Sequence, residues 1–419
     1  MTGRIADATL WREGAERIAW AREFMPATTA IAAELTDSGR VRGVRIAVSD
    51  VLEPKTATVA LLLAEAGADV VVSCVGRDTD DAVAAALVHA GIPTYAQRNA
   101  TEADDRDNVL ALLDHHPDVI VDDGAGTIRL AHTARPDILA AMAGATEQTT
   151  SGVRPLRTME RLGELRIPII AANDARTKSL FDNAHGTGQS VVLAVADLLD
   201  EPWAGIDVVV VGFGRVGSGV ARHAAALGAR VTVTEVDPVA ALQAVFAGYA
   251  VEPLADAAGH ADVLISTTGI AHTVTAAHLE RLPDGAAVAV GGGAFQEISL
   301  LNAREAGAEE VARQGAISVL RLPNGRRIRV LDDGHCINVS AAEGNPIQVM
   351  DLSFGIQLAA VEHLLASRGT LSPTVHILPA AADDRVAALA LGAFRGGLDA
   401  VSDAQRDYLT SWIPRDIAP

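Results

Sequence analysis

The sequence is poor in aromatics. Phe, Trp and Tyr make up 3% of its 419 residues, so its cores must be built from Ala, Val, Leu and Ile. It has two cysteines, Cys74 and Cys336. That excludes a disulfide scaffold and a cysteine-rich zinc site, and both thiols are expected to be reduced and buried. It lacks a basic surplus: Lys and Arg number 34 against 53 Asp and Glu, a net charge of −19. Phosphate neutralisation needs a basic face, so nucleic-acid binding is not expected. No uncharged apolar run reaches about 18 residues, so no membrane span is expected. Residues 1–35 carry Arg4, Asp7, Arg12, Glu13, Glu16 and Arg17 and read as no leader, which makes the expected location cytoplasmic. None of the 12 histidines falls in a His-x-x-x-His or Cys/His spacing, so no metal is assigned.

What is present suits large cores: 49% hydrophobic and 21% charged residues. At roughly 150 residues per domain the length suggests two or three domains. Residues 8–35 read as one helix. After Gly43 short apolar runs at 44–48, 68–72, 119–121 and 167–172 alternate with helical stretches at 56–66 and 80–90. The pattern restarts at 206, with runs at 207–211, 230–234, 262–266 and 286–290, and returns to Ala/Leu-rich helix from 350 to 367. Strand, helix, strand in repetition implies a parallel sheet covered on both faces. The predicted class is α/β, with two Rossmann-like, doubly wound parallel-sheet domains. The expected division is a substrate-binding domain at 1–187 completed by 350–400, a nucleotide-binding domain at 188–349, and a C-terminal tail at 401–419.

The strongest motif is Gly212, Gly214 and Gly217, with Arg215 and Val216 between the last two. It follows a four-valine strand, opens a helix, and has Glu235 at the end of the next strand. That is the setting of a dinucleotide fingerprint, in which the glycines admit the pyrophosphate and the acid takes the ribose hydroxyls. Glu235 would repel a 2′-phosphate, so NAD is favoured over NADP. A second motif, Asn173 to Asn183, lies beyond a strand end and puts Lys178 and Asp182 four apart. On spacing alone the plainer reading of that pair is a surface ion pair. Asp122-Asp123-Gly124 and Glu147-Gln148-Thr149-Thr150-Ser151-Gly152, taken alone, read as caps or turns.

Together these segments resemble the S-adenosylhomocysteine hydrolase family. So do Thr234-Glu235-Val236-Asp237-Pro238, Ser266-Thr267-Thr268-Gly269, Leu322-Pro323-Asn324-Gly325 and Val375-His376-Ile377-Leu378-Pro379. The matches keep their order over nearly the whole chain. The resemblance implies a small nucleoside substrate, a bound NAD, and chemistry that oxidises the 3′-carbon, removes the 4′-proton and expels the 5′ substituent. Asn173, Lys178, Asp182 and Asn183 match the redox and 4′-proton machinery, with Lys178 as base and Asp182 orienting it. Asp123 matches an active-site aspartate. Asn338 matches a nicotinamide contact, and Thr149, Thr150, Ser151, Thr267, Thr268 and Gly269 fall on cofactor-binding segments, Thr149 also on the substrate side.

Several positions depart from the family pattern. The His-Met-Thr-x-Glu-Thr segment is here Val51 to Thr56, so its histidine is lost and Glu53 and Lys55 occupy new roles. Gln148 replaces a sugar-binding glutamate, Ala294 a histidine, Asn345 the histidine of a Gly-His-Pro loop, and Thr187 a cysteine. Lys55, Gln148, Asn173 and Asn345 are then expected on the substrate. The family's C-terminal Lys/Tyr, which covers a neighbouring subunit's NAD, has no counterpart after Tyr408, so faster NAD exchange is expected. A homodimer or homotetramer is expected because the Ala/Leu-rich segment after Met350 needs partners. The losses cluster around the 5′ substituent. They favour a dehydratase that expels water from a nucleoside, with Asp123 or, second, Glu53 as acid. Hydrolysis of S-adenosylhomocysteine is the second reading, and an NAD-binding paralogue without catalysis the third.

Overall fold

The computed structural model describes residues 3–412. The chain's first strands are β1 (Gly3–Arg4), β2 (Arg45–Ser49), β3 (Asp69–Ser73), β4 (Thr94–Tyr95), β5 (Val119–Asp122), β6 (Gly144–Glu147) and β7 (Ile169–Ala171). A second set follows: β8 (Asp207–Val211), β9 (Arg230–Thr234), β10 (Ala250–Val251), β11 (Val263–Ser266), β12 (Ala287–Val290), β13 (Glu309–Gln314), β14 (Ile317–Arg321) and β15 (Arg327–Leu331). The last strand, β16 (Val375–His376), returns to the first sheet beside β7. The orders are β1-β4-β3-β2-β5-β6-β7-β16 and β10-β9-β8-β11-β12-β15-β14-β13. The first sheet is parallel throughout. In the second, β13, β14 and β15 pair antiparallel, a departure from the all-parallel expectation.

The cores follow the composition. Val208, Val209, Val210, Ile265, Ala287 and Val288 are buried in the second sheet, and Ile46, Ala47, Val119 and Ile120 in the first. Residues 8–35 are not one helix. Helices Trp11–Glu23 and Pro26–Ser38 are separate, because Pro26 has no N–H to continue the ladder and fits the first helical position instead.

The segment after Met350 corrects a second expectation. Helix Ile347–Ala366 is long and apolar enough to cross a membrane by length and composition, yet most of it is buried inside the protein. Its Asp351 carboxylate accepts the N–H groups of Ala27 (3.0 Å) and Thr28 (2.7 Å), capping helix Pro26–Ser38. Its partners are therefore in the same chain, and it gives no reason to expect an oligomer. Asp383 does the same for Arg176 and Thr177, at 2.7 and 3.0 Å. The tail reading falls largely on residues 413–419, outside the described residues. Helix Asp403–Thr410 precedes them.

Candidate active site

Parallel strands in register end in a common row. Ser49 of β2 pairs with Asp122 of β5, and Asp122 with Glu147 of β6. The next residue on each strand is Asp50, Asp123 and Gln148. These three side chains meet at the carboxyl end of the sheet, where open α/β folds place ligands. Gln148 Nε2 donates to Asp50 Oδ2 at 2.7 Å and to Asp123 Oδ2 at 3.2 Å. Burial pushes both carboxyls above the usual aspartate range, and the charge of Asp123 pushes Asp50 further up, whereas a hydrogen bond from Asp50 eases the ionisation of Asp123. At Asp123 the Gln148 amide and the charge of Lys178 act the other way. Asp50 was not singled out from the sequence. Its only signal there is a polar residue directly after an apolar strand.

Lys178 is buried beside this row. Its Nζ lies 3.2 Å from Asp182 Oδ2 and donates to Asn183 Oδ1 at 2.5 Å. Both partners face it because residues Ser179–Thr187 form a π-helix, in which positions i+4 and i+5 share the face of i. The surface ion-pair reading is thereby excluded: the pair is buried. Asp182 is held in turn by Ser353 Oγ (2.6 Å) and Asn345 Nδ2 (2.7 Å). Asn183 Nδ2 donates to Asn173 Oδ1 at 3.0 Å, which also accepts from Thr150 Oγ1 at 3.2 Å.

The second sheet offers a nucleotide cradle. Gly212 has φ +93°, and a Cβ on Gly217 would collide with the Gly212 carbonyl, so the turn admits only glycine at both places. Gly214 stands at the N-cap of helix Arg215–Ala226, with no side-chain cap and no atom within 4 Å of where its Cβ would be. The open first turn of a 12-residue helix, with Arg215 and Val216 leading it, fits a pyrophosphate. Glu235 Oε2 accepts from Phe213 N at 2.7 Å, and Oε1 accepts from Val236 N (2.6 Å) and Asp237 N (3.1 Å). That fixes the carboxylate at the end of β9, where the ribose of a dinucleotide falls. Thr267 Oγ1 donates to Val211 O at 2.9 Å and ties the ends of β8 and β11 together. Thr268 and Gly269 continue this rim. Ser151, in the helix Thr150–Leu162 that follows β6, has its Oγ 2.7 Å from where a Cβ on Gly293 would lie.

Some expected roles are not free in this geometry. Asn345 bonds to Asp182, Thr187 (3.1 Å), Ser190 (2.7 Å) and Asn338 (3.2 Å), which uses every position on its amide. It braces the site and leaves nothing for a substrate. Asn338 gives one N–H to that network. The Thr149 hydroxyl caps helix Thr150–Leu162 and donates to Glu147 Oε1 at 2.6 Å, so its part is structural. Lys55 pairs with Glu53 at 2.5 Å and donates to Glu343 O at 3.1 Å. Glu53, the second acid candidate, is thus occupied by an ion pair, while burial still pushes its carboxyl up.

The fold and cradle define an NAD-dependent α/β enzyme. Family comparison is more specific. The model described as S-adenosyl-L-homocysteine hydrolase matches residues 3–137, and its NAD binding domain matches residues 183–344. An S-inosyl-L-homocysteine hydrolase of Methanopyrus kandleri is 40% identical over 97% of both chains. An adenosylhomocysteinase of Thermotoga maritima is 39% identical over 95% of this chain and 99% of its own. An S-inosyl-L-homocysteine hydrolase of Methanocaldococcus jannaschii is 36% identical over 97% of this chain and 98% of its own. The chain belongs to the S-adenosyl-L-homocysteine hydrolase family, and its cofactor is NAD.

Proposed function

We propose that the protein is a nucleoside dehydratase, which removes the 4′-proton and the 5′-hydroxyl to release water and a 4′,5′-unsaturated nucleoside. One observation carries this reading: a buried lysine, Lys178, and a carboxyl on a different strand end, Asp123, lie within electrostatic reach of each other. NAD, when bound, supplies oxidation of the 3′-carbon and its later reversal, which acidifies the neighbouring 4′-hydrogen. Lys178 Nζ, as the neutral amine, takes that proton and becomes the ammonium that Asp182 pairs, with Asn183 orienting it. Asp123 gives a proton to the 5′-oxygen as its bond to C5′ breaks, because hydroxide is too poor a leaving group to depart alone. Thr150 and Asn173 hold Asn183 in place. The test is incubation of the NAD-loaded protein with adenosine and with ketohexose nucleosides. A product lighter by one water is expected, and none from either class counts against the reading.

A second reading, hydrolysis of a homocysteine nucleoside thioether, is favoured by the activities for which the relatives are named. Free thiol released from S-adenosyl- or S-inosylhomocysteine as efficiently as water is lost from a nucleoside would move the assignment to it. We also infer a homo-oligomer. Its support is the exposed apolar Leu242, Phe246, Tyr408 and Leu409 on helices Pro238–Phe246 and Asp403–Thr410. Monomers by light scattering would remove that inference.

A further inference from the structure

Asp50 is a buried aspartate that no motif claims. It ends up in a row fixed by backbone pairing, one residue beyond the β2–β5–β6 register. One of its oxygens accepts the Val51 N–H at 2.7 Å and the other accepts Gln148 Nε2 at 2.7 Å. The same Gln148 nitrogen reaches Asp123 Oδ2. Two carboxyls thus converge on one amide nitrogen, at 2.7 and 3.2 Å, and the charge of Asp123 acts on Asp50. Two carboxylates so close cannot both ionise near neutral pH. We propose that Asp50 and Asp123 share one proton, clamped by Gln148, and that Asp50 is the positioning residue that keeps Asp123 an acid toward the 5′-oxygen.

The proposal rests on the dehydratase reading for its role, though the pair itself stands on geometry. Glu53, three residues on from Asp50, adds to the repulsion, and its partner Lys55 offsets it. Lys178, in the turn before the π-helix, and Asp182, within it, act on Asp123 with opposite signs, Asp122, Asp78, Glu147 and Cys336 sense the charge of Asp123, and Cys74 senses that of Asp50. The balance of the step closes. The C4′–H bond breaks and its proton goes to Lys178. The C4′–C5′ double bond forms, the C5′–O bond breaks, and the shared proton leaves on the departing water. Lys178 then carries the proton that the pair has lost, and transfer between the two resets the site.

The test has two arms. In the first, holoenzyme labelled with carbon-13 at its aspartate carboxyls is titrated by NMR, with Asp50→Asn and Asp123→Asn used to assign the signals. The two carboxyls are expected to titrate in separate steps, one of them well above the usual aspartate range. Both fully ionised by about pH 6 would overturn the pair. In the second, the pH–rate profile of water loss is compared in wild type and Asp50→Asn. Without a like charge beside it Asp123 ionises earlier, so the alkaline limb should move down by about one pH unit or more with KM unchanged. An unmoved limb would overturn the positioning role. If no nucleoside loses water, the function fails while the first arm still decides the pair.

Discussion

Asn345 and Asp182 lie 163 residues apart in sequence and share a hydrogen bond of 2.7 Å. The bond joins the loop that follows the second sheet to the π-helix that begins just after Lys178. Asn345 also ties in Thr187 and Ser190, where the chain first leaves for that sheet. One amide therefore sets the geometry of Lys178 from a distance. Asn345→Ala leaves a carboxylate oxygen of Asp182 without its donor. The loss of a hydrogen bond to a charged group, about 1.5–3 kcal/mol, predicts a fall in kcat of roughly 10- to 100-fold. Steady-state kinetics with kcat unchanged would show that Asn345 is only scaffolding.

Oxidation and elimination should separate by mutation. Lys178→Ala is expected to abolish reduction of bound NAD on adding nucleoside, followed by near-ultraviolet absorbance. Asp123→Asn should leave that reduction largely intact while water loss slows by about 10²–10⁴, the range for a positioned general acid. The two residues sit on different elements, the helical turn before the π-helix and the end of β5, which is why their losses should differ. Equal loss of cofactor reduction in both variants would mean that they share one role.

Cofactor choice is expected to rest on Glu235. Its carboxylate is held by three backbone N–H groups, so Glu235→Ala removes both the ribose acceptor and the brace of the turn at Phe213. NAD affinity should fall about tenfold or more and the preference over NADP should narrow. Calorimetric titration giving equal affinity for both cofactors in the unmutated protein would contradict this.

Stability should depend on pH through Asp122. Burial pushes this carboxyl up to about 7, from the ordinary value of 3.8. The folded state thus holds the proton more tightly than the unfolded chain. The contribution to stability is full below the ordinary value and is lost as pH rises through the folded one. Between those limits the loss is about 1.4 kcal/mol per pH unit while a single proton is released. Asp122→Asn cannot ionise, so denaturant melts should show the variant gaining on wild type as pH rises from 4 to 7. A constant difference over that range would place the titration elsewhere.

The sheets and the cradle were legible because they are local. The valine run before Gly212 and the acid after the next strand lie within 30 residues, and the Lys178–Asp182 spacing is a single helical turn. The break at Pro26 is legible too, since proline cannot continue a helix, but the apolar pattern runs across it and masks it. The rest was hidden by distance. Nothing near Asp50 announces Asp123, since their meeting depends on the register of two strands. Nothing near Asn345 announces Asp182. The antiparallel hairpin of β13 and β14 is half exposed and carries mixed charge, so it lacks the apolar alternation that marks a strand.

A π-helix is an α-helix with one residue too many in its turn, and it persists only where the surroundings insist on it. Deleting one residue between Lys178 and Thr187 would restore an ordinary helix and rotate Asn183 off the lysine. Such a deletion should relax the local backbone while uncoupling the two groups that hold Nζ. The wider turn is unfavourable in isolation, and what it provides here is a lysine gripped by two side chains at once.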